Sequence, residues 1–427
     1  MPWSAADSMT SHAKPAAGRL SLPVLCAWLY LVLLPWNVPL RGPLFLHDLL
    51  GPVFLLFLLV RGQWREYLRF PRVLLPVFLG LAALATAVHA RGGHDLYDLA
   101  IMGYMATLFA FFAWVPLKRR HLAWYGALVL GVMWAGAAWE MASGAMRSYG
   151  VYEHTTLGFI AKRFFFTFSH PNLTGSFYAL PVACLLLGLA GRGQRLNWRE
   201  LGIGLLALAA VLIPLGLTVS KHMLLSAALI AGAVVIERGH AARWRWLGLA
   251  AVLGVFVLFY LTVLFPFFPL QGQFPFFNHA TWGMYTTHQS IYWRILFRDF
   301  ASVLVGVGPE RLRDLYPTLA DPEYIRSVLD QYQQGSLTQS FCTYMDAHNE
   351  YLNTGTGFGL PALMALVGFW ISLAIQGMRE RKNELLLFFV VALLCCCLWD
   401  DLASKRWVWI TLGLLVGTAG AEREELA

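Results

Sequence analysis

Between Ala347 and Leu352 the chain reads AHNEYL, and Gly355, Gly357 and Gly359 follow as an apolar run begins. Polar side chains at the mouth of a membrane helix are costly in hydrocarbon, so they are expected to face a cavity. Within this group His348 is the side chain whose charge changes near neutrality, and a neutral imidazole can take a proton from a hydroxyl. Four cations stand in comparable settings, ahead of or between apolar runs: Arg163, Lys221, Arg294 and Arg298. Fixed cations hold phosphate oxygens and stabilise charge developing on a phosphate leaving group. Such a set needs no divalent metal; the sequence has no Asp-rich or His-cluster motif and no cofactor motif.

Plainer readings stand beside these. A single His at a helix mouth is often structural, and arginines at a membrane surface often anchor to headgroups. Arg298 is adjacent to Asp299 and can simply pair with it; Arg311, Arg313 and Arg326 are assigned to solvent or headgroups. His154, His170, His279 and His288 have no metal-ligand spacing. Of the six cysteines, only Cys342 lies outside an apolar segment, and the run Cys395 to Cys397 reads as small packing residues.

The elements that must position these groups are membrane helices. The 427 residues are 58% hydrophobic and 13% charged, where soluble domains carry about 25% charged residues. Many tryptophans, among them Trp36, Trp114, Trp139, Trp198, Trp246, Trp399 and Trp407, sit at the ends of apolar runs, as in an aromatic belt at the headgroups. A window of about 20 residues gives about twelve candidate spans: 20–36, 43–60, 72–89, 98–116, 122–141, 173–190, 201–217, 222–236, 246–265, 356–376, 384–399 and 407–420. Lys14 and Arg19 precede the first, which has no small-residue cleavage site and reads as a retained span.

The net charge of +8 is read on this topology, and not as a nucleic-acid surface. With the N-terminus inside, the loops RGQWREYLRFPR, KRRH, GRGQRLNWRE, ERGHAARWR and GMRERKNE fall on the cytoplasmic side and hold most of the cations, as the positive-inside rule requires. Two long excursions, 142–172 and 266–355, then lie outside, and loops of such length usually carry function. The division expected is 1–265 with nine spans, 266–355 as a large outer loop, and 356–427 with three spans. In the loop, FPFFPLQGQFPFF suits an interfacial strip. Ile291 with Ile295 and Arg294 with Arg298 have i, i+4 spacing, which predicts an amphipathic helix from His288 to Leu304 that stops at Gly306-Val307-Gly308-Pro309. A second helix is expected over 322–334.

HNEYLNTGTGFGLPALMAL resembles the His-Asn-x-x-Leu, Gly-rich signature of the O-antigen ligase and O-antigen polymerase superfamily. The resemblance covers the chain from about residue 150 onward. RFFFTFSHPNLTG from Arg163 is similar to the family's Arg and Pro-Asn-x-x-Gly stretch, and Arg294 with Gly306-Val307-Gly308 resembles its Arg then Gly-x-Gly loop. Thr218-Val219-Ser220-Lys221-His222 stands where the family commonly has Ser-Arg-Gly; Lys221 keeps the charge without the bidentate fork. An acidic residue in a late outer loop matches Asp400, with Asp401 an equal candidate.

The resemblance implies an all-α, polytopic, GT-C-like fold in a bacterial inner membrane, with the site facing the periplasm and membrane lipids around it. It implies metal-independent, inverting transfer of O-antigen from undecaprenyl pyrophosphate to lipid A-core. His348 is then the general base and Asp400 orients its ring. Arg163, Lys221, His222, Arg294, Arg298 and Asn349 are the expected substrate-binding residues. O-antigen polymerases and protein O-oligosaccharyltransferases share the motif; a short tail after the last span favours the ligase. A secondary transporter explains twelve spans equally well, but not the long loop after the ninth or the absence of acidic residues from the middle of most spans.

Overall fold

The computed structural model describes residues 21–41, 44–69, 71–89, 93–144, 147–148, 162–163, 166–168, 171–190, 222–236, 242–264, 279–319, 347–379 and 383–426. The architecture is mostly helical. Helices α1 (Leu22–Leu33), α2 (Gly51–Val60), α3 (Leu74–His89), α4 (Gly93–Trp114) and α5 (Arg119–Ala142) come first. They are followed by α6 (Pro171–Phe177), α7 (Ala179–Ala190), α8 (Met223–Ile236) and α9 (Ala242–Leu264). Next come α10 (His279–Leu296), α11 (Phe300–Val305) and α12 (Pro309–Leu319). The chain closes with α13 (Glu350–Phe358), α14 (Leu360–Arg379), α15 (Glu384–Cys396) and α16 (Arg406–Leu426). The strands are short hairpin pieces: β1 (Pro39–Arg41) pairs with β2 (Leu44–Phe45), and β3 (Arg147–Ser148) with β4 (Lys162–Arg163), all antiparallel.

Among the described residues three helices are long and apolar enough to cross a membrane, over Leu96–Trp114, Arg119–Ala142 and Leu360–Arg379. Seven further apolar helical stretches are shorter, and the candidate span 201–217 lies outside the described residues. The longer helices turn large apolar side chains outward: Trp124, Leu128, Trp134 and Trp139 on α5, and Leu247, Leu253, Val257 and Leu258 on α9. A face of that kind is stable in lipid and unfavourable in water. The tryptophan belt needs a partial correction. Trp36, Trp139 and Trp246 are exposed, but Trp399 is buried against Phe256 and Phe259, and Trp407 against Phe168 and Phe177.

Packing interleaves the two ends of the sequence. Helix α16 lies along α4, α14 packs on α3 and α15, and α15 packs on α8 and α9. Phe109 of α4 meets Phe369 edge-on at 5.2 Å and Trp409 at 6.3 Å. The close approach of α16 to α4 depends on Gly413, where a Cβ would stand 2.7 Å from the Phe109 carbonyl oxygen. First and last helices thus form one core, which fixes the α15–α16 turn against the rest.

The expected helix 288–304 is in fact two helices. α10 begins earlier, at His279, and ends at Leu296; Phe297 to Asp299 form a bend. Asp299 then caps α11, its Oδ1 accepting from the Ser302 backbone N–H at 2.7 Å and from the Ser302 hydroxyl at 2.8 Å. A local side-chain cap outcompetes helix continuation there. The amphipathic reading holds on α10: Ile291 and Ile295 are buried and Arg294 is exposed. Arg298 falls in the bend. A helix not expected from sequence, α12, follows at Pro309, and the expected helix 322–334 lies outside the described residues.

Candidate active site

The motif around His348 opens α13, and each of its residues has a fold-level task. Asn349 is the N-cap: its Oδ1 accepts from the Leu352 N–H at 3.1 Å, and its Nδ2 donates to the Leu398 carbonyl at 2.9 Å. Each end of the amide thus bonds backbone, a structural task beside the substrate contact expected of Asn349. The Glu350 N–H donates to the Cys397 carbonyl at 2.9 Å, and the Tyr351 hydroxyl donates to the Leu394 carbonyl at 2.6 Å. The start of α13 is thereby fastened to the end of α15 and the turn beyond it.

His348 itself has φ 43°, in the left-handed region. For a residue with a Cβ this costs about 1–2 kcal/mol, and such conformations gather at functional sites. It persists because both flanks are held: the Ala347 N–H donates to Asn353 Oδ1 at 3.1 Å, and Asn349 is fixed as above. The imidazole is half-buried.

The glycines have an equally local cause. The Gly306–Gly308 loop lies directly on the end of α13, with the Val307 N–H donating to the Thr356 carbonyl at 2.7 Å and the Gly308 N–H to the Gly357 carbonyl at 3.1 Å. Gly306 has φ +69° and Gly359 φ +89°. A Cβ on Gly306 would stand 2.5 Å from the Gly357 carbonyl oxygen, and one on Gly359 would stand 2.4 Å from the Leu304 carbonyl oxygen. At Gly306 and Gly359 two backbones meet with no room for a side chain, so the Gly306 loop and the end of α13 are two sides of one contact; a Cβ on Gly357 would meet open space.

Acidic groups converge from the α15–α16 turn. Asp400, expected to orient His348, pairs with His222 at the start of α8 through Oδ2 and Nε2, and both side chains are buried. Asp401 accepts from Ser404 Oγ at 3.0 Å and Lys405 Nζ at 3.3 Å. Burial works against its ionisation. Lys405, a hydrogen bond with Asp400, the His348 imidazole and Ser404 outweigh that and hold the Asp401 carboxyl well below the usual range. Asp401 is thus an anion at neutral pH in electrostatic contact with His348, able to stabilise an imidazolium.

Beneath them lies Glu350, whose Oε1 accepts from the Thr354 hydroxyl at 2.5 Å and whose Oε2 accepts from the Ala403 N–H at 2.9 Å. Burial raises its pKa to about 7, against the two hydrogen bonds that favour the anion. The Ala403 carbonyl in turn accepts from Trp409 Nε1 at 2.7 Å. On the other side His288 of α10 hydrogen-bonds the Tyr316 hydroxyl of α12 and stacks on its ring. Burial, then the charge of His348, lower the His288 pKa to about 4, so it is neutral near pH 7. Next to the turn Arg406 grips Asp48 with two bonds, Nε to Oδ1 and Nη2 to Oδ2, each 2.8 Å, and the Tyr104 hydroxyl donates to Asp48 Oδ1 at 2.8 Å.

Of the residues singled out from sequence, His348, Asn349, Asp400 and His222 are brought to one end of the bundle. Arg294 and Arg298 are exposed on the α10–α11 elbow beside it, with Arg298 4.0 Å from Asp299. Arg163 lies in β4, its backbone paired with Arg147; its side chain, and the whole of Lys221, lie outside the described residues, as does Cys342. Among the described residues there is no group of three or more His, Cys, Asp or Glu placed to hold a metal ion. Sequence reasoning missed Glu350, the Asp401–Lys405 pair, His288 with Tyr316, and Asp48 with Arg406. The last had a visible signal, since an acid inside the apolar run from Phe45 to Val60 asks for a partner.

Searched against known families and curated proteins, the chain matches no family model and no curated protein.

Proposed function

We propose that the chain is a membrane glycosyltransferase of the O-antigen ligase type. In this reading about twelve spans seat it in a bacterial inner membrane with the His348 end toward the periplasm. The donor is O-antigen on undecaprenyl pyrophosphate and the acceptor is a sugar hydroxyl of lipid A-core. His348 takes the acceptor's proton as its oxygen attacks the anomeric carbon, and the bond from that carbon to the pyrophosphate oxygen breaks with inversion. Asp401 stabilises the imidazolium. Arg163, Lys221, Arg294 and Arg298 hold the pyrophosphate and the charge it gains on leaving.

The observation that carries the reading is the setting of His348: a strained, half-buried imidazole at the end of an apolar bundle, in electrostatic contact with an ionised Asp401. The test is the lipopolysaccharide banding pattern of a deletion strain. Core without O-antigen, with lipid-linked polymer accumulating, supports the ligase. Core bearing a single repeat unit assigns polymerase chemistry instead, and an unchanged pattern overturns both.

A further inference from the structure

The bend between α10 and α11 leaves an unusual surface. Trp293, Phe297 and Phe300 are 51%, 55% and 76% exposed, and Leu304 is 43% exposed. Trp293 and Phe297 stack face to face at 5.3 Å, so they form one apolar plate. Arg294 and Arg298, also exposed, alternate with these rings, whereas the opposite stripe, Ile291, Tyr292, Ile295 and Leu296, is buried. The nearby acid, Asp299, caps α11 through Oδ1 while its Oδ2 stands 4.0 Å from Arg298 Nε, so two arginines and one acid leave a net positive charge. The outward surface therefore carries aromatic rings and positive charge.

Its depth is fixed by the fold. The Leu304 carbonyl lies against Gly359, the residue before α14, and α14 is one of the helices long and apolar enough to cross a membrane. The α11 helix packs on α14 and α3. The elbow is thus pinned at the level where α14 enters the bilayer, which is where aromatic rings partition to the acyl boundary and guanidinium groups reach phosphates.

From this the geometry points to the α10–α11 elbow as an interfacial anchor: Trp293, Phe297, Phe300 and Leu304 enter the acyl boundary of the leaflet at the His348 end, and Arg294 and Arg298 bind the phosphates of anionic phospholipid when no pyrophosphate donor occupies them. The inference rests on the chain's being seated in a bilayer and not on glycosyl transfer, and its test uses no glycosyl donor.

The full chain is reconstituted in nanodiscs of mixed phosphatidylglycerol and phosphatidylcholine, with a photoreactive benzoylphenylalanine at position 297 or 300, or at Leu128 on the outward face of α5 as a benchmark. Irradiation should give phospholipid adducts at 297 and 300 that approach the Leu128 yield and exceed the probe-free chain by about tenfold or more. Phosphatidylglycerol should be favoured in those adducts, and the preference should vanish in the R294Q/R298Q variant while the total yield persists. Adduct levels no higher than the probe-free chain, or crosslinks to a second copy of the chain instead of lipid, overturn the anchor. A yield that is high but blind to headgroup charge overturns the part given to the arginines.

Discussion

Gly306→Ala tests the contact on which the geometry of the site depends. The added Cβ would meet the Gly357 carbonyl oxygen at 2.5 Å and the Phe358 nitrogen at 2.6 Å, both backbone atoms without a rotamer to move aside. The native φ of 69° with ψ −167° is a region almost confined to glycine, which costs other residues about 1–3 kcal/mol. Separation of the strands of chain also loses the bonds from Val307 and Gly308 to Thr356 and Gly357, about 0.5–1.5 kcal/mol each. The sum is roughly 2–6 kcal/mol of local stability, or at least a tenfold rise in opening. Hydrogen exchange of peptides covering 304–308 and 355–359 in detergent reads this directly. Both should exchange at least about tenfold faster, with peptides of the α4–α16 pair unchanged. Gly359→Ala should do the same, and the double variant should fall short of the summed effects because both disrupt one contact. Exchange of Gly306→Ala indistinguishable from wild type would refute the account of why glycine stands at 306 and 359.

The remaining predictions concern the acid–base groups. His348→Ala should lower turnover by about 10²- to 10⁴-fold with little change in donor affinity, whereas Arg294→Ala should lower both; donor binding and single-turnover rates distinguish the cases. His348→Gly, which accepts the left-handed backbone, should be at least as stable as His348→Ala and equally slow, which separates chemistry from folding. Glu350 has a folded pKa of about 7 against 4.5 for the free group, so it binds a proton more tightly when folded. Its contribution is fully present below about pH 4.5 and is lost as pH rises through about 7, roughly 3 kcal/mol in all. His288, whose pKa is lowered to about 4, gains stability over nearly the same window with the opposite sign. Melting curves therefore read the Glu350 effect as a difference: the stability of wild type relative to Glu350→Gln should fall from about pH 4.5 to about 7, while Glu350→Ala is less stable throughout. Turnover with lipid-linked donor and lipid A-core should survive exhaustive chelation with EDTA; loss that Mg²⁺ or Mn²⁺ restores would remove the metal-free mechanism.

What was legible in the sequence is what the backbone dictates locally. The Ile291/Ile295 stripe is a buried helix face and the helical stretch stops at Gly306, both as the spacing and the Gly306–Pro309 run predict, whereas the N-cap role of Asn349 emerges only from the structure. Apolar runs mark helices for the same reason, although hydropathy overran the α10–α11 junction, where a single Asp299 cap breaks a continuous apolar pattern. Pairing across the fold leaves no such mark. Asp48 and Arg406 stand 358 residues apart and Glu350 and Ala403 stand 53 apart, and nothing in either segment encodes the other's register.

Glu350 sat unweighed between two residues of the motif because its partner is a backbone N–H, which any residue in that turn would supply. The choice between Asp400 and Asp401 shows the limit most clearly. The turn that holds them has neither helical nor strand periodicity, so no spacing rule gives which partners each side chain reaches. Asp400 goes to His222, brought in by the packing of α8 against α15, and Asp401 goes to Ser404 and Lys405 of its own turn while remaining in the field of His348. The division of labour between the two acids is set by which helices pack together. A base with an ionised neighbour is therefore a property of the assembled bundle, and the local motif supplies only the imidazole and the cap that aims the chain at it.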